Sequence, residues 1–317
     1  MIFTFLCCFN VNHEFGRIYN VSNDCLVIEN CFFKDLSHSG SGGAVFVDRT
    51  SAEVVAKNSV VSNCCSTAAW GGGFFLNVLS SRVSYCCAFW CFTPNPTNVY
   101  LNLGQFYYSM VQTNENNSLN FVSILRCAPI MDGKNKGSPF CLQYGIHTCK
   151  SVNSSQNLNG IRSGAFFYDC SSSWVSHTNL CCNNASYRET IVFINGNNDV
   201  KYTNIINNTQ ADDSAGIVRN FQNPYTLLSF CNLINNHFYL FSGENGKLIV
   251  KNCAIYGSYR TASASLVDCI QTITSLSIQH YSTYKCHANS AIFSKTRRKS
   301  IIRDKYFVVF SLVPAII

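Results

Sequence analysis

Asp212 and Asp213, with His237 one repeat later, are the residues whose types and spacing could carry out covalent chemistry. Paired carboxylates can supply the acid and the base that glycosidic cleavage requires, and a histidine can move a proton near neutral pH. The competing reading of Asp212–Asp213 is a solvated turn. Lyase chemistry would need clustered carboxylates for calcium and a basic residue to take the sugar proton. The 16 acidic residues are instead spread along the chain without a close cluster. The 19 cysteines are an odd number, which excludes complete pairing, and no CxxC provides the usual half of a structural zinc site. His147 with Cys149, and Cys286 with His287, lack a second half at ligand spacing. No metal and no cofactor is expected; the cysteines read as small buried hydrophobes with at most a few disulfides. Adjacent pairs such as Cys64-Cys65, Cys86-Cys87 and Cys181-Cys182 should point to opposite faces of a strand.

Charge gives little more. Charged residues are 12% of the chain, about half the usual ~25%, while asparagine, serine and glycine supply the polarity. Of the net +7, residues 295–305 hold six basic and one acidic residue, leaving 17 basic and 15 acidic elsewhere. Basicity is therefore a feature of the end of the chain and not a nucleic-acid-binding face. Gly40-Ser41-Gly42-Gly43 and Gly71-Gly72-Gly73 precede no Lys-Ser/Thr, so they read as turns and not as a phosphate cradle. Tyr107-Tyr108 and Phe166-Phe167-Tyr168 could stack on sugars or bases, but core roles come first.

The elements that must position these residues form a repeat. One row reads apolar-x-apolar-x-Asn (or Cys, His) and ends at Asn30, Asn58, Cys87, Asn179, Asn204, Asn232, Asn252 and His280. The steps are 28, 29, 92, 25, 28, 20 and 28 residues, and the gap of 92 has room for three or four further turns. A second row lies 14 residues earlier, with small residues at Gly16, Ala44, Gly73 and Ala165. Its boxes are Gly42-Gly43-Ala44, Gly71-Gly72-Gly73 and Ser163-Gly164-Ala165. Runs of four to six residues rich in Val, Ile, Phe and Tyr, bounded by Gly, Asn and Ser, are strands. No stretch keeps a helical apolar period. Units of 20–29 residues with two strands each predict an all-β fold, a parallel β-helix solenoid of about 11–12 coils over residues 1–294. Residues 295–317 form a basic and apolar C-terminal tail. Asn30, Asn58, Asn179, Asn204, Asn232 and Asn252 should stack as a corner ladder, and Phe46, Phe75 and Phe167 as an aromatic one.

Gly42-Gly43-Ala44-Val45-Phe46 resembles the GGA-apolar box of polymorphic outer-membrane-type proteins. Phe32-Phe33-Lys34-Asp35 and Val60-Val61-Ser62-Asn63 are similar to its F-x-x-N box in degenerate form. Periodicity covers most of the chain, but only the first copy is close to the family motif and no autotransporter barrel follows. The chain looks like the divergent β-helix surface proteins expanded in parasitic protists. That resemblance implies a right-handed, pectin lyase-like parallel β-helix, cell-surface display and an adhesion role. Gln210-Ala211-Asp212-Asp213 is also similar to the paired-aspartate box of polygalacturonase-type glycoside hydrolases. The Asn-Thr-Asp and Gly-His-Gly signatures of that family are absent, and Arg-x-Lys occurs only in the tail, at Arg297–Lys299 and Arg303–Lys305.

The expected function is a non-enzymatic adhesion or recognition scaffold, with a carbohydrate-active β-helix enzyme as the alternative. Host or cell-surface glycans or proteins would be its partners, with no nucleic acid. Asn20, Asn116, Asn153, Asn184 and Asn207 head Asn-x-Ser/Thr sequons that would accept glycans in a secreted chain. Met1–Phe9 is apolar without a basic n-region, and Tyr306–Ile317 is apolar for twelve residues, short of the ~20 that span a bilayer. Both ends read as abrupt, as a truncated gene model would. Arg297, Arg298 and Lys299 beside that apolar run suit membrane association through the tail.

Overall fold

The computed structural model describes residues 4–7, 18–19, 24–67, 70–93, 104–127, 137–159, 162–185, 189–210, 216–222, 225–237, 239–244, 246–257, 260–261 and 264–272. Among them there is no helix, and every strand pairing is parallel. The chain winds as a β-solenoid in which each strand bonds the equivalent strand one coil before and one coil after. Three strands per coil form the main faces, where the sequence pattern suggests two, and some coils add a short fourth: Ser37–His38 and Cys65–Ser66 pair with each other, as do Leu158–Asn159, Asn184–Ala185 and Thr209–Gln210 in turn. A first face includes Tyr107–Val111, Phe140–Gln143, Ala165–Tyr168 and Ile191–Ile194. A second includes Asn116–Asn120, Ile146–Lys150, Ser172–Ser176 and Asn197–Lys201. The third stacks ten short strands, from Phe32–Lys34 to Ile270–Gln271. Val45–Lys57 and Phe74–Ser84 run unbroken through the first bend, which joins the first two faces into one sheet.

Between the strands Cys87–Phe89 and Asn179–Cys181 the third face holds two strands, Ser123–Leu125 and Asn153–Ser155. The 92-residue gap thus contains two coils, not three or four. Aligned positions there are 36 and 30 residues apart (Cys87 to Ser123, Ser123 to Asn153), intervals that include residues 94–103 and 128–136. These lie outside the described set.

Inward side chains form one continuous core. Leu26, Ile28, Val54, Ala56, Val83, Leu119, Val175, Val200, Leu228 and Val250 line the second face from inside. The first face adds aromatic rings: Phe140 meets Phe167 edge to face at 6.0 Å, and Phe167 stacks on Phe193 at 5.0 Å. Phe46 and Phe75 stack outside at 5.1 Å, as the sequence predicts. Phe167 is not part of that stack: it pairs with Leu142 and points inward, and Phe166 continues the outer row through Cys141. The same one-residue slip moves the third glycine box, so Gly164 and not Ala165 is in line with Ala44 and Gly73.

The glycine boxes have two physical causes. Gly42 has φ +69°, where an added Cβ would lie 2.2 Å from the Val45 carbonyl oxygen. Gly43 has ordinary φ, but its Cβ would lie 2.2 Å from the Gly72 carbonyl of the next coil. The first glycine is required by backbone conformation and the second by coil-to-coil approach.

Corners separate the faces. Between the second and third faces each coil places one residue in the left-handed region, with φ between 48° and 54°: Asn30, Asn58, Tyr85, Phe121, Ser151, His177, Tyr202, Phe230, Asn252 and Asp268. The predicted asparagine ladder therefore splits in two. Asn30, Asn58 and Asn252 occupy this corner, while Asn179, Asn204 and Asn232 begin the third face two residues later. There the Asn179 amide donates to Asn153 Oδ1 at 2.7 Å, and Asn232 to Asn204 Oδ1 at 2.6 Å.

A second corner follows the third face, and its inward column changes chemistry. Leu36, Cys64, Cys91 and Cys127 occupy it first, then Asn157, Asn183, Asn208 and Asn236. Each of the first three asparagines donates its side-chain amide to Oδ1 of the next, at 2.9, 3.1 and 3.1 Å. Each Oδ1 also accepts the backbone N–H of the preceding coil, from Cys127, Asn157, Asn183 and Asn208 at 2.9 to 3.1 Å. Buried backbone groups that leave a sheet at a corner are thereby satisfied.

Candidate functional site: an aromatic corner

The first corner is the strongest departure from what backbone chemistry alone would choose. Asparagine accommodates a left-handed backbone cheaply, whereas a bulky side chain there costs roughly 1–2 kcal/mol. Five coils nevertheless place Tyr85, Phe121, His177, Tyr202 and Phe230 at it. The positive φ turns each ring away from the core, and in-register coils bring the rings together. Tyr85 and Phe121 are parallel with centroids 4.9 Å apart. Beyond Ser151, which takes the corner of the next coil, His177, Tyr202 and Phe230 form a second stack at 5.3 and 5.5 Å. Tyr85, Tyr202 and Phe230 keep 40 to 49% of their surface exposed. Because the rings cover one another's faces, the column offers ring edges and tyrosine hydroxyls to solvent. Lys150, Lys201 and Lys251 end the neighbouring second-face strands in one row, two coils apart, with Lys201 held by Asp199 at 2.7 Å. The arrangement presents ring edges, tyrosine hydroxyls and ammonium groups to a facing surface.

A second feature lies on the first face. Glu189 is fully buried, with Arg219 Nη1 at 2.5 Å from Oε1 and Arg162 Nε at 3.5 Å from Oε2. Arg162 also lies over the Phe166 ring at 4.2 Å, and Arg219 over Phe221 at 4.9 Å. Three successive coils thus form an Arg–Glu–Arg bridge in which both carboxylate oxygens face guanidinium groups. Such a bracket fixes the carboxylate in place.

Several described aspartates are held by hydrogen-bond partners. Asp35 accepts from Asn63 at 2.8 Å, Asp48 from Asn77 at 2.7 Å, Asp169 from Asn195 at 2.6 Å, and Asp24 from Arg49 at 2.9 Å. Each partner is an amide or a cation. Asp212 and Asp213 fall outside the described residues. Gln210, two residues before Asp212, is buried at the end of Thr209–Gln210, and His237 is exposed with its N–H on the Asn208 carbonyl at 3.0 Å. No group of three or more potential metal ligands occurs among the described residues.

His147 and Cys149 both point into the core. The His147 Nε2–H donates to the Tyr144 carbonyl at 2.7 Å, and burial pushes the imidazole pKa down to about 4. Burial likewise pushes the Cys86 thiol up to about 12 and Cys64 and Cys91 well above the ordinary thiol range. These are inert packing groups. The adjacent pairs Cys64-Cys65 and Cys86-Cys87 are buried on opposite sides of the coil wall. Cys181-Cys182 differs: φ of +54° at Cys182 turns both thiols outward, 3.1 Å apart.

Of the sequon asparagines, Asn116 and Asn207 are exposed and Asn184 is half-buried. Asn153 is buried, its amide nitrogen 3.2 Å from both Ser123 and Ser155 Oγ. Asn20 and residues 295–317 lie outside the described set. Among the described residues no helix is long and apolar enough to cross a membrane.

Fold and site together define a parallel β-solenoid with an outward aromatic corner. The chain matches no family model, no curated protein and no solved structure with which it was compared.

Proposed function

We propose that this solenoid is a non-enzymatic recognition scaffold, displayed at a cell surface and binding glycans or proteins of a facing surface. The single observation that supports it is the aromatic corner: five bulky rings held at left-handed positions where asparagine serves elsewhere. Strain kept in a regular scaffold points to a use for the side chains that cause it, and aromatic residues are enriched in binding surfaces. A right-handed winding of the polymorphic outer-membrane type, and membrane association through residues 295–317, belong to the same proposal. The right-handed rule for parallel crossovers supports the former.

Binding of the purified chain to glycan arrays and to intact cells tests the reading. The double variant Tyr202→Asn, Phe230→Asn should keep the β circular dichroism of the wild type and lose most of the binding. Surface labelling of native cells should reach the protein. Unchanged binding by the double variant would overturn the assignment of the corner. Release of reducing sugar from polysaccharides that disappears in Asp212→Ala or Asp213→Ala would replace the scaffold with the hydrolase.

A further inference from the structure

Of the fifteen free cysteines described, Cys182 alone is exposed, and its chain neighbour Cys181 is half-buried. Cys181 ends the third-face strand Asn179–Cys181, and Cys182 occupies the second corner. On a continuous strand neighbouring side chains would diverge; the left-handed Cys182 brings the two sulfurs to 3.1 Å on the outer surface. Backbone bonds hold this geometry from both sides. The Gln156 N–H donates to the Cys181 carbonyl at 3.1 Å, and the Cys182 N–H to the Ile206 carbonyl at 3.0 Å. The coils above and below place Ser155 and Ile206 beside Cys181, and Gln156 and Asn207 beside Cys182. Neither column supplies a competing thiol.

We propose that Cys181 and Cys182 form an exchangeable vicinal dithiol–disulfide site whose reaction partner is a low-molecular-weight disulfide of the glutathione class. The exposed Cys182 thiolate attacks one sulfur of the small disulfide, giving a mixed disulfide and displacing one thiolate, which takes up a proton. Cys181 then gives up its proton to water and its sulfur attacks Cys182 Sγ, displacing the second small thiol. Two protein thiols are oxidised by two electrons, and one small disulfide is reduced to two thiols. Adjacent Cα atoms are fixed near ~3.8 Å, below the ~4.4–6.8 Å that disulfides usually span. The ring is therefore strained and easily reopened by excess thiol, as labile rather than structural disulfides are.

The tryptic peptide Ser163–Arg188 contains Cys170, Cys181 and Cys182, so one spectrum carries its own buried control. Native protein is equilibrated with oxidised glutathione, alkylated after unfolding, digested and weighed. In the wild type this peptide should lose two hydrogens, with a Cys181–Cys182 crosslink in its fragment spectrum, no retained glutathione and Cys170 alkylated. Dithiothreitol should restore three alkylated thiols. Cys181→Ser should instead retain one glutathione on Cys182. A wild-type peptide that retains glutathione, or one with all three thiols alkylated after oxidation, overturns the proposal. The wild-type fragment spectrum decides the matter even if Cys181→Ser does not fold.

Discussion

The two halves of the second corner solve one problem with different chemistry. From Leu36 to Cys127 the inward column is aliphatic and thiol; from Asn157 to Asn236 it is amide. In both halves a backbone N–H that has left the sheet needs an acceptor from the next coil. The Leu36 N–H faces the Cys64 sulfur and the Cys64 N–H the Cys91 sulfur, while in the amide half Oδ1 accepts the same bond at about 3 Å. A thiol is a weak acceptor but packs as a hydrophobe. An amide also links to its neighbours, so it creates a ladder whose members depend on one another. The thiol half should therefore tolerate single changes that the amide half does not.

The largest expected effect is Asn183→Ala. The Asn183 side chain makes four hydrogen bonds, to the Asn157 N–H and amide, the Ser154 carbonyl and Asn208 Oδ1. Losing them leaves buried donors unpaired and should cost about 4 kcal/mol, read from the urea midpoint. Cys91→Ala should cost only about 1–2 kcal/mol, the loss of one buried sulfur. Equal costs would break the comparison.

Acid comes next. His147 has a folded pKa of about 4 against an ordinary value of 6.5. The unfolded chain therefore binds a proton first as pH falls, and stability drops progressively from about pH 6.5 to pH 4. One such group is worth about 3 kcal/mol over that window. His147→Asn should flatten the acid limb of a stability–pH curve. The thiols work in the opposite direction. Their raised pKa values mean that the unfolded chain loses protons first, so the contribution of Cys64 and Cys91 is complete at neutral pH and declines above about pH 9. Alkylation followed by peptide mapping should show the thiol half opening first in alkali. Simultaneous labelling of both halves would show that they unfold as one unit.

The smallest effect belongs to the first corner. Tyr202→Asn relieves a left-handed tyrosine but removes two ring contacts. Terms of roughly 1 kcal/mol oppose each other, and the melting temperature should shift by no more than a few degrees. A large loss would make the aromatic column a structural support and weaken its role in binding.

Much of the fold was legible because strand periodicity survives in most coils, the two between Cys87 and Asn179 excepted. The register was harder, for a physical reason. At Tyr85, His177, Tyr202 and Phe230 an aromatic ring takes the corner that Asn30, Asn58 and Asn252 take elsewhere, and Cys87 or an asparagine then begins the third face. An apolar-x-aromatic-x-Asn segment thus imitates apolar-x-apolar-x-Asn with a shift of two residues. The buried ladder did leave a readable trace. Asn153 to Asn157, Asn179 to Asn183, Asn204 to Asn208 and Asn232 to Asn236 all repeat Asn-x-x-x-Asn. Glu189 with Arg162 and Arg219 left none, since they converge only through coil stacking. Cys181 and Cys182 were misread because the alternation rule holds only while φ stays negative.

The uniform corners also make the coil a unit of inheritance. Asn179 and Asn204 occupy equivalent positions, so excising residues 179–203 would join Thr178 to Asn204 with every outward and inward position preserved. Duplication would be equally silent to the backbone. The amide ladder accepts the backbone of a thiol coil at Cys127 as readily as that of an asparagine coil. A lineage can therefore lengthen or shorten this rod by recombination within a gene while each surviving coil remains a valid neighbour for the next.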